Sequence, residues 1–184
     1  MLTEFEFLLN SKNWTFLSQW LGFLSKKANV CNSKDLKLKL LFKATRDGFS
    51  HFDFKEKCAG KTDTLLIAIT NYDKIIGGFT PLPWENTDEH VYLRDDSEQS
   101  FMFSLDKKQK LRLISPEHAI CLAPDSGPIF GGGSDLEIVD NCNVNYNKFY
   151  RVGHSYEYAD TPESFFGSTK YLIKDYEIYE VSDN

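Results

Sequence analysis

The chain has 184 residues, of which 41% are hydrophobic and 15% aromatic, and it carries a formal net charge of −6. A chain of this length is most naturally one domain with a substantial core, and its aromatic content suits sheet faces better than a long helical bundle. The negative charge argues against a general nucleic-acid binder, because such proteins need a positive field to displace counterions. We therefore expect no nucleic acid among its partners.

The four cysteines are far apart and form no CxxC pair, so they indicate reduced thiols in an intracellular compartment; they are Cys31, Cys58, Cys121 and Cys142. The first ten residues, MLTEFEFLLN, contain two glutamates and lack a basic segment. We therefore expect this run to be neither a signal peptide nor a membrane span. We expect a cytoplasmic protein without membrane insertion, which could still reach a membrane or a cytoskeletal or ciliary structure through a protein partner.

The N-terminal part predicts an amphipathic helix, because apolar residues recur at helical spacing from Trp14 to Leu24. Asn13 or Ser11 would cap this helix. We expect residues 1–35 to form a helical lead-in and residues 36–184 to form the main domain.

Leu36–Ala44 follows as a predicted strand, with Lys37 and Lys39 alternating against leucines. With Lys34 and Lys43 these lysines form the one basic cluster of the sequence. The cluster predicts a solvated strand edge that lysines protect from pairing.

The next stretch, RDGFSHFDFKEKCAGK, predicts a turn and a short helix. Ser50 and Asp53 have the spacing of a capping box, and Phe49 and Phe54 occupy the positions of a hydrophobic staple. The helix should end near Cys58, with Gly60 as its C-terminal stop.

The rest of the chain favours short β-strands separated by turns, which is typical of a sandwich. The charged segment Glu85–Glu98 and the asparagine-rich segment Asn141–Asn147 are predicted loops. The predicted strands are Thr64–Thr70, Lys74–Phe79, Ser100–Leu105, Lys110–Ile114, His118–Ala123, Ile129–Phe130, Leu136–Val139 and Tyr171–Val181.

Three glycines, Gly131–Gly133, raise the possibility of a phosphate-binding loop. A P-loop requires GxxxxGK before Ser or Thr, and a dinucleotide fingerprint requires GxGxxG opening a helix. Here no lysine follows, the next predicted element is a strand, and Asp135 and Glu137 would repel a phosphate. The glycines therefore predict close backbone approach or a positive φ, and no cofactor is expected.

Metal and catalytic motifs are weak. A calcium loop starting at Asn141 would place Tyr146 where glycine is required and Val152 where glutamate is required, so no metal site is predicted, although Asp135, Asp140 and the asparagine-rich loop stay open as an irregular cation site. The sequence contains no GxSxG, and His154 and Glu157 would lie on opposite faces of a strand. We predict that the protein is not an enzyme.

Several motifs in order resemble the TLDc domain, of the oxidation-resistance type and its protozoan branch. They are LKLLFKATRDGFSHFDFKEKCAGK, TLLIAI, GGFTPLPW, FMFSLD, GPIFGGGSDLEI and KDYEIYEV, and the match covers roughly Leu36 to Val181. The resemblance implies an α+β, mostly β fold: a two-sheet antiparallel sandwich flanked by about two helices, one of them N-terminal. The residues that carry the resemblance, most of them expected to be architectural, are Arg46, Asp47, Gly48, Phe49, Gly77, Gly78, Phe79, Trp84, Phe103, Gly131, Gly132 and Gly133.

The resemblance implies no established catalytic site. It implies a protein-interaction module linked to oxidative-stress protection or to the vacuolar proton-pumping ATPase, whose subunits would be its partners. One alternative is a structural subunit of a large protist assembly, such as a ciliary, tubulin-based or other cytoskeletal complex. Two further alternatives are a redox protein that uses Cys58 or Cys142 and the cation-binding module named above.

Overall fold

The computed structural model describes Gln19 and residues 36–148, 153–158 and 161–183. The predicted helix around Trp14–Leu24 lies, but for Gln19, outside the described residues. The chain divides into two compact units, Lys39–Glu180 and Met1–Leu38 with Val181–Asn184. The account below concerns the unit Lys39–Glu180, which contains the described sheets and helices except for the first residues of β1 and the last residues of β12.

The described elements are short strands with brief helices between them. The strands are β1 Leu36–Lys43, β2 Thr64–Thr70, β3 Ile75–Thr80, β4 Val91–Leu93, β5 Phe101–Ser104, β6 Gln109–Arg112, β7 Ile120–Leu122, β8 Ser126–Phe130, β9 Leu136–Val139, β10 Asn147–Lys148, β11 Lys170–Tyr171 and β12 Ile173–Asp183. The helices are α1 Ala44–Asp47, α2 His51–Cys58 and α3 Pro162–Phe166, with a 3₁₀ turn at Pro116–His118.

The strands form two main sheets. One has six strands in the order β1-β12-β2-β3-β5-β6, and the other has four in the order β4-β7-β8-β9. Neighbouring strands within them run antiparallel, for example β2 with β3 and β7 with β8. The predicted two-sheet antiparallel sandwich with flanking helices is therefore confirmed.

The main core lies between the two sheets. It joins Leu66 and Met102 of the six-stranded sheet to Ile120 and Phe130 of the four-stranded sheet in one buried apolar cluster. At Gly78 a β-carbon would lie 2.8 Å from the Phe130 ring, so the missing side chain lets the two sheets approach. The opposite face of the six-stranded sheet is also apolar and buried, which explains why β2 is a continuous apolar run instead of an alternating one.

Helix α2 forms as its capping residues predict. Ser50 Oγ accepts from the Asp53 backbone N–H, and Asp53 accepts in return from the Ser50 N–H at 3.0 Å. The helix ends at Cys58, and Gly60 follows with a φ of +75°. Phe54 is buried in the main core, and Phe49 packs against it.

Several predicted elements differ from the structure, three of them for a clear local reason. The strand predicted to end at Ala44 ends at Lys43, because Ala44 starts helix α1, which the Asp47 carboxylate stabilises by accepting from the Lys43 N–H at 2.9 Å. The predicted loop Glu85–Glu98 contains strand β4, whose three residues are too few to show alternation. The strand predicted from His118 starts at Ile120, because the preceding proline starts a 3₁₀ turn.

The prediction that the lysines form a solvated edge is wrong for Lys43. Its side chain is only 14% exposed and lies 2.5 Å from Glu177 Oε1 and 3.3 Å from Asp175 Oδ2. Lys39 does fit the prediction, because its side chain is 71% exposed and its ammonium is 3.7 Å from Glu180. No helix in the described part of the chain combines the length and apolarity that crossing a membrane would require.

Candidate functional site

The glycine run forms the turn between β8 and β9. Gly131 has a φ of +87°, and a β-carbon there would overlap the Asp135 carboxylate. The turn is closed by the Ser134 N–H, which donates to the Gly131 carbonyl at 3.2 Å, with Ser134 itself at a φ of +53°. The run therefore serves a tight turn of the backbone.

Asp135 anchors this turn to a neighbouring segment. The side chain is buried, and its oxygens accept from the His154 N–H at 3.1 Å and from the Ser155 N–H at 2.9 Å. Ser155 Oγ accepts in turn from the Gly132 N–H at 2.9 Å. Burial raises the pKa of Asp135, and the amide donors only partly offset this.

Three aromatic side-chain rings lie in a row beside this turn. The Tyr92 and His118 ring centroids are 5.1 Å apart, and the His118 and His154 centroids are 5.6 Å apart. Tyr92 Oη donates to the Gly132 carbonyl at 3.4 Å, and a β-carbon on Gly132 would lie 2.9 Å from His118 Cβ. Tyr92 is 47% exposed, and His154 is exposed as well. We call Tyr92, His118, His154 and Gly132 the Tyr92 surface.

Serine hydroxyls lie beside both histidine rings. Ser155 Oγ is 3.0 Å from His154 Nδ1, and Ser115 Oγ is 3.5 Å from His118 Nδ1. Each histidine ring is therefore oriented by a serine hydroxyl near its Nδ1 atom.

Asp95 holds the strand that presents Tyr92. Its N–H donates to the Pro116 carbonyl at 2.9 Å, and its buried carboxylate accepts from the Ser100 N–H at 2.8 Å and from the Ser97 N–H at 3.0 Å. Burial alone would raise the pKa of Asp95, but the donors from Ser97 and Ser100 outweigh it and lower the pKa. Strand β4 is therefore braced at its C-terminal end.

The site contains the residue types of a hydrolase triad in a different arrangement. A triad carboxylate binds the ring nitrogen that faces away from the serine, and the serine oxygen is open to substrate. Here Asp135 binds backbone N–H groups, and Ser155 is buried with its Oγ accepting from Gly132. This geometry braces a turn and does not activate a nucleophile.

The thiols proposed for redox chemistry are deeply buried. Cys58 and Cys142 are 0% exposed, and burial raises the pKa of each thiol to about 12. Because the thiolate is the reactive form, burial and the raised pKa disfavour reaction of both thiols in the folded protein. Cys121 is also buried, with a raised pKa for the same reason, and Cys31 lies outside the described residues.

The residues suggested for a cation are engaged in separate contacts. Asp140 Oδ1 accepts from the His51 N–H and also lies 2.8 Å from His51 Nδ1, while Asp140 Oδ2 accepts from Asn141. Burial alone would raise the pKa of Asp140, but these contacts lower it. Asp135 instead braces the glycine turn, so the structure does not bring the two carboxylates to one donor set.

The RDGF motif lies at the end of α1. Arg46 and Asp47 form a two-pronged ion pair at 2.8 and 2.7 Å, but the Arg46 side chain is 51% exposed. The Arg46 guanidinium therefore remains in solvent, while the Asp47 side chain turns inward and is 12% exposed. Gly48 has a φ of +122°, and a β-carbon there would overlap Asp53.

The residues of the GGF motif and Trp84 lie in the apolar layers on the two faces of the six-stranded sheet. At Gly77 a β-carbon would overlap the Leu66 carbonyl of the adjacent strand and lie 2.5 Å from the Phe103 ring. Phe79 stacks at 5.7 Å on a phenylalanine of β5, and both it and Phe103 are fully buried. Trp84 donates from Nε1 to Thr64 Oγ1 at 2.8 Å. These positions, like Gly78, support the sheets and lie apart from the Tyr92 surface.

Sequence reasoning missed Tyr92, His118 and Ser155, and it considered His154 only beside Glu157, on the opposite face of a strand. Glu157 instead pairs with Arg112 at 3.1 Å. No spacing in the sequence joins positions 92, 118, 132 and 154, because four separate segments meet only through the fold.

Comparison with known proteins identifies the family of the chain. The model of the TLDc domain matches residues 2–182, nearly the whole sequence. No curated protein matches the chain significantly. The chain belongs to the TLDc domain family.

Proposed function

We propose that this TLDc protein acts by binding other proteins and not by catalysis. The observation that carries the proposal is the Tyr92 surface, in which an exposed tyrosine and two histidine rings lie in contact beside the edge strand of the four-stranded sheet. Exposed, pre-ordered aromatic side chains are typical centres of protein interfaces, because little side-chain entropy is lost when they bind. The brace formed by Asp135 and Ser155 supports the same interpretation, since those polar groups maintain a surface.

The family resemblance makes subunits of the vacuolar proton-pumping ATPase the first partners to test, and with them a role in oxidative-stress protection. The test is affinity purification of the tagged chain at native expression, with pump subunits detected under reducing and under oxidising conditions. Recovery of pump subunits in either condition is the expected result.

A second measurement, the location of a tagged copy in cells, separates the pump from the structural alternative. We expect the tagged chain at acidic organelles. Axonemal or filament localisation with recovery of tubulin-based proteins would keep the binding role and replace the pump by a cytoskeletal assembly. Recovery of no protein partner in any condition would overturn the proposed function.

A further inference from the structure

Strand β4 leaves one edge of the four-stranded sheet open among the described strands. It pairs with β7 on one side, and the sheet order ends with it. Leu93 directs its carbonyl towards the chain that enters β7, where it accepts from the Ala119 N–H at 3.1 Å. Because backbone groups alternate along a strand, the N–H and carbonyl of Tyr92 face the open side.

The side chains at this edge suit a binding surface. Val91 is 39% exposed and Tyr92 is 47% exposed, so two apolar side chains are presented on consecutive residues of an open strand. An edge of this kind is a template for an added strand, in which main-chain hydrogen bonds supply affinity and flanking side chains supply specificity.

The charge around the edge is strongly negative. Asp88 and Glu89 precede β4 and Asp96 and Glu98 follow it, all four exposed. The arginine between them, Arg94, is already paired with Asp96 at 2.5 Å and with a further glutamate at 3.7 Å. An added strand longer than β4 would therefore meet carboxylates at both of its ends.

We infer that the open edge of β4 binds an extended segment of a protein partner in which lysine or arginine residues flank a short apolar core. This inference rests on the proposed function and names the surface and the partner chemistry for it. A second copy paired through the same strand is disfavoured, because it would place the two acidic rims against each other. The Tyr92 ring, held by its contacts to Gly132 and His118, would pack on the apolar core of the bound segment.

Binding of three labelled peptides to the purified chain, measured by fluorescence anisotropy at low salt, tests this inference. The first peptide has a core of alternating valine and threonine with two lysines at each end, and the second replaces the lysines by glutamates. The third is the lysine peptide N-methylated at every core residue, which removes the donors that a strand needs. We expect binding of the first peptide only.

Two protein variants locate the site. Asp88→Lys with Glu89→Lys reverses two charges beside β4, whereas Glu56→Lys with Glu163→Lys makes the same change in net charge at exposed positions elsewhere. Each exposed ion pair changes an affinity by at most about fivefold, and the first variant reverses two charges. We therefore expect it to weaken binding of the lysine peptide roughly tenfold, and the control variant to weaken binding by less than about twofold. Circular dichroism of both variants verifies that they are folded.

Equal binding of the lysine and glutamate peptides, undiminished binding of the N-methylated peptide, or equal losses in the two variants would each overturn the inference. So would sedimentation showing a dimer of the parent whose dissociation constant the variant at positions 88 and 89 changes, because the occupant would then be a second copy. The affinity purification described above is independent of these outcomes. If it recovers a partner equally well with the parent and with the variant at positions 88 and 89, the inference fails while the proposed function stands.

Discussion

Replacing Lys43 by methionine should destabilise the protein far more than the same change at Lys39. Lys43 Nζ lies 2.5 Å from Glu177 Oε1 and 3.3 Å from Asp175 Oδ2, and the Glu177 side chain is 1% exposed. Tyr179 Oη also donates to Glu177. Removal of the ammonium leaves two carboxylates in a buried environment without their cation.

The magnitude follows from burial. Breaking a buried ion pair by removing one partner costs about 3–5 kcal/mol. We expect about 3 kcal/mol, the lower end, because Asp175 keeps its donors from Thr45 at 3.0 and 2.8 Å. Lys39 is paired with Glu180 at 3.7 Å and is 71% exposed, so Lys39→Met should change stability by less than about 1 kcal/mol.

The assay is urea unfolding of the parent and the two variants, followed by tryptophan fluorescence. Burial alone would lower the pKa of Lys43, but the hydrogen bond and charge of Glu177 and the charge of Asp175 raise it above its usual 10.5. A raised pKa of a basic group stabilises the fold below the unfolded pKa, and that contribution is lost as the pH rises through the folded value. The difference between the parent and Lys43→Met should therefore be constant near neutral pH and shrink above pH 10.5.

A double variant identifies the source of the loss. If the unpaired Glu177 carboxylate is responsible, Lys43→Met with Glu177→Gln should be more stable than Lys43→Met alone. Equal losses for Lys43→Met and Lys39→Met, or a double variant in which the two losses simply add, would refute the reasoning.

Three further predictions concern the core, the acid limit and the thiols. Gly77→Ala should lower the free energy of unfolding by about 3 kcal/mol or more, because the new methyl group would overlap a backbone carbonyl of the adjacent strand. Gly60→Ala, in open space at a φ of +75°, should lower it by only about 1–2 kcal/mol. Equal unfolding midpoints of the two variants in urea would contradict this prediction. The parent should lose stability as the pH falls below 3.8, because the contribution of a carboxylate with a lowered pKa is present above its unfolded pKa and is lost as the pH falls through its folded pKa. Asp95→Asn should therefore lose less stability between pH 7 and pH 3 than the parent does, and unfolding curves at the two pH values measure the difference. In a variant whose other cysteines are serine, Cys58 and Cys142 should react with a thiol reagent only at the rate at which the protein unfolds, because burial raises the pKa of each thiol to about 12. Rapid labelling of the folded protein would instead support thiol chemistry.

Local and periodic features of the fold were predictable from the sequence. The capping box of Ser50 and Asp53 needs only residues three positions apart, and the continuous apolar run Thr64–Thr70 marks a strand buried on both faces. The positive φ of Gly131 follows from a glycine between two strands. In each case the information lies within a single segment.

The site and the buried charges depend on contacts between distant segments. Lys43 looks like one member of a basic cluster in the sequence, and only the pairing of β1 with β12 places Glu177 against it. Strand β4 is not recognisable in the sequence, because the acidic residues around it outnumber its three strand residues. Those same acidic side chains define the charge of the sheet edge. The row formed by Tyr92, His118 and His154 has no spacing that could reveal it.

The glycine turn links the architecture of the protein to its proposed binding surface, which limits how that surface can be tested. Gly132 lies with its α-carbon against His118 and His154, and its N–H is bound by Ser155. A β-carbon at Gly132 would therefore displace both rings, so Gly132→Ala would change stability and binding together. The exposed carboxylates beside β4 take no part in the turn, and their reversal alters only the field that a partner meets. A loss of binding in the variant at positions 88 and 89, with unchanged stability, is thus evidence for recognition that no substitution within the glycine run can supply.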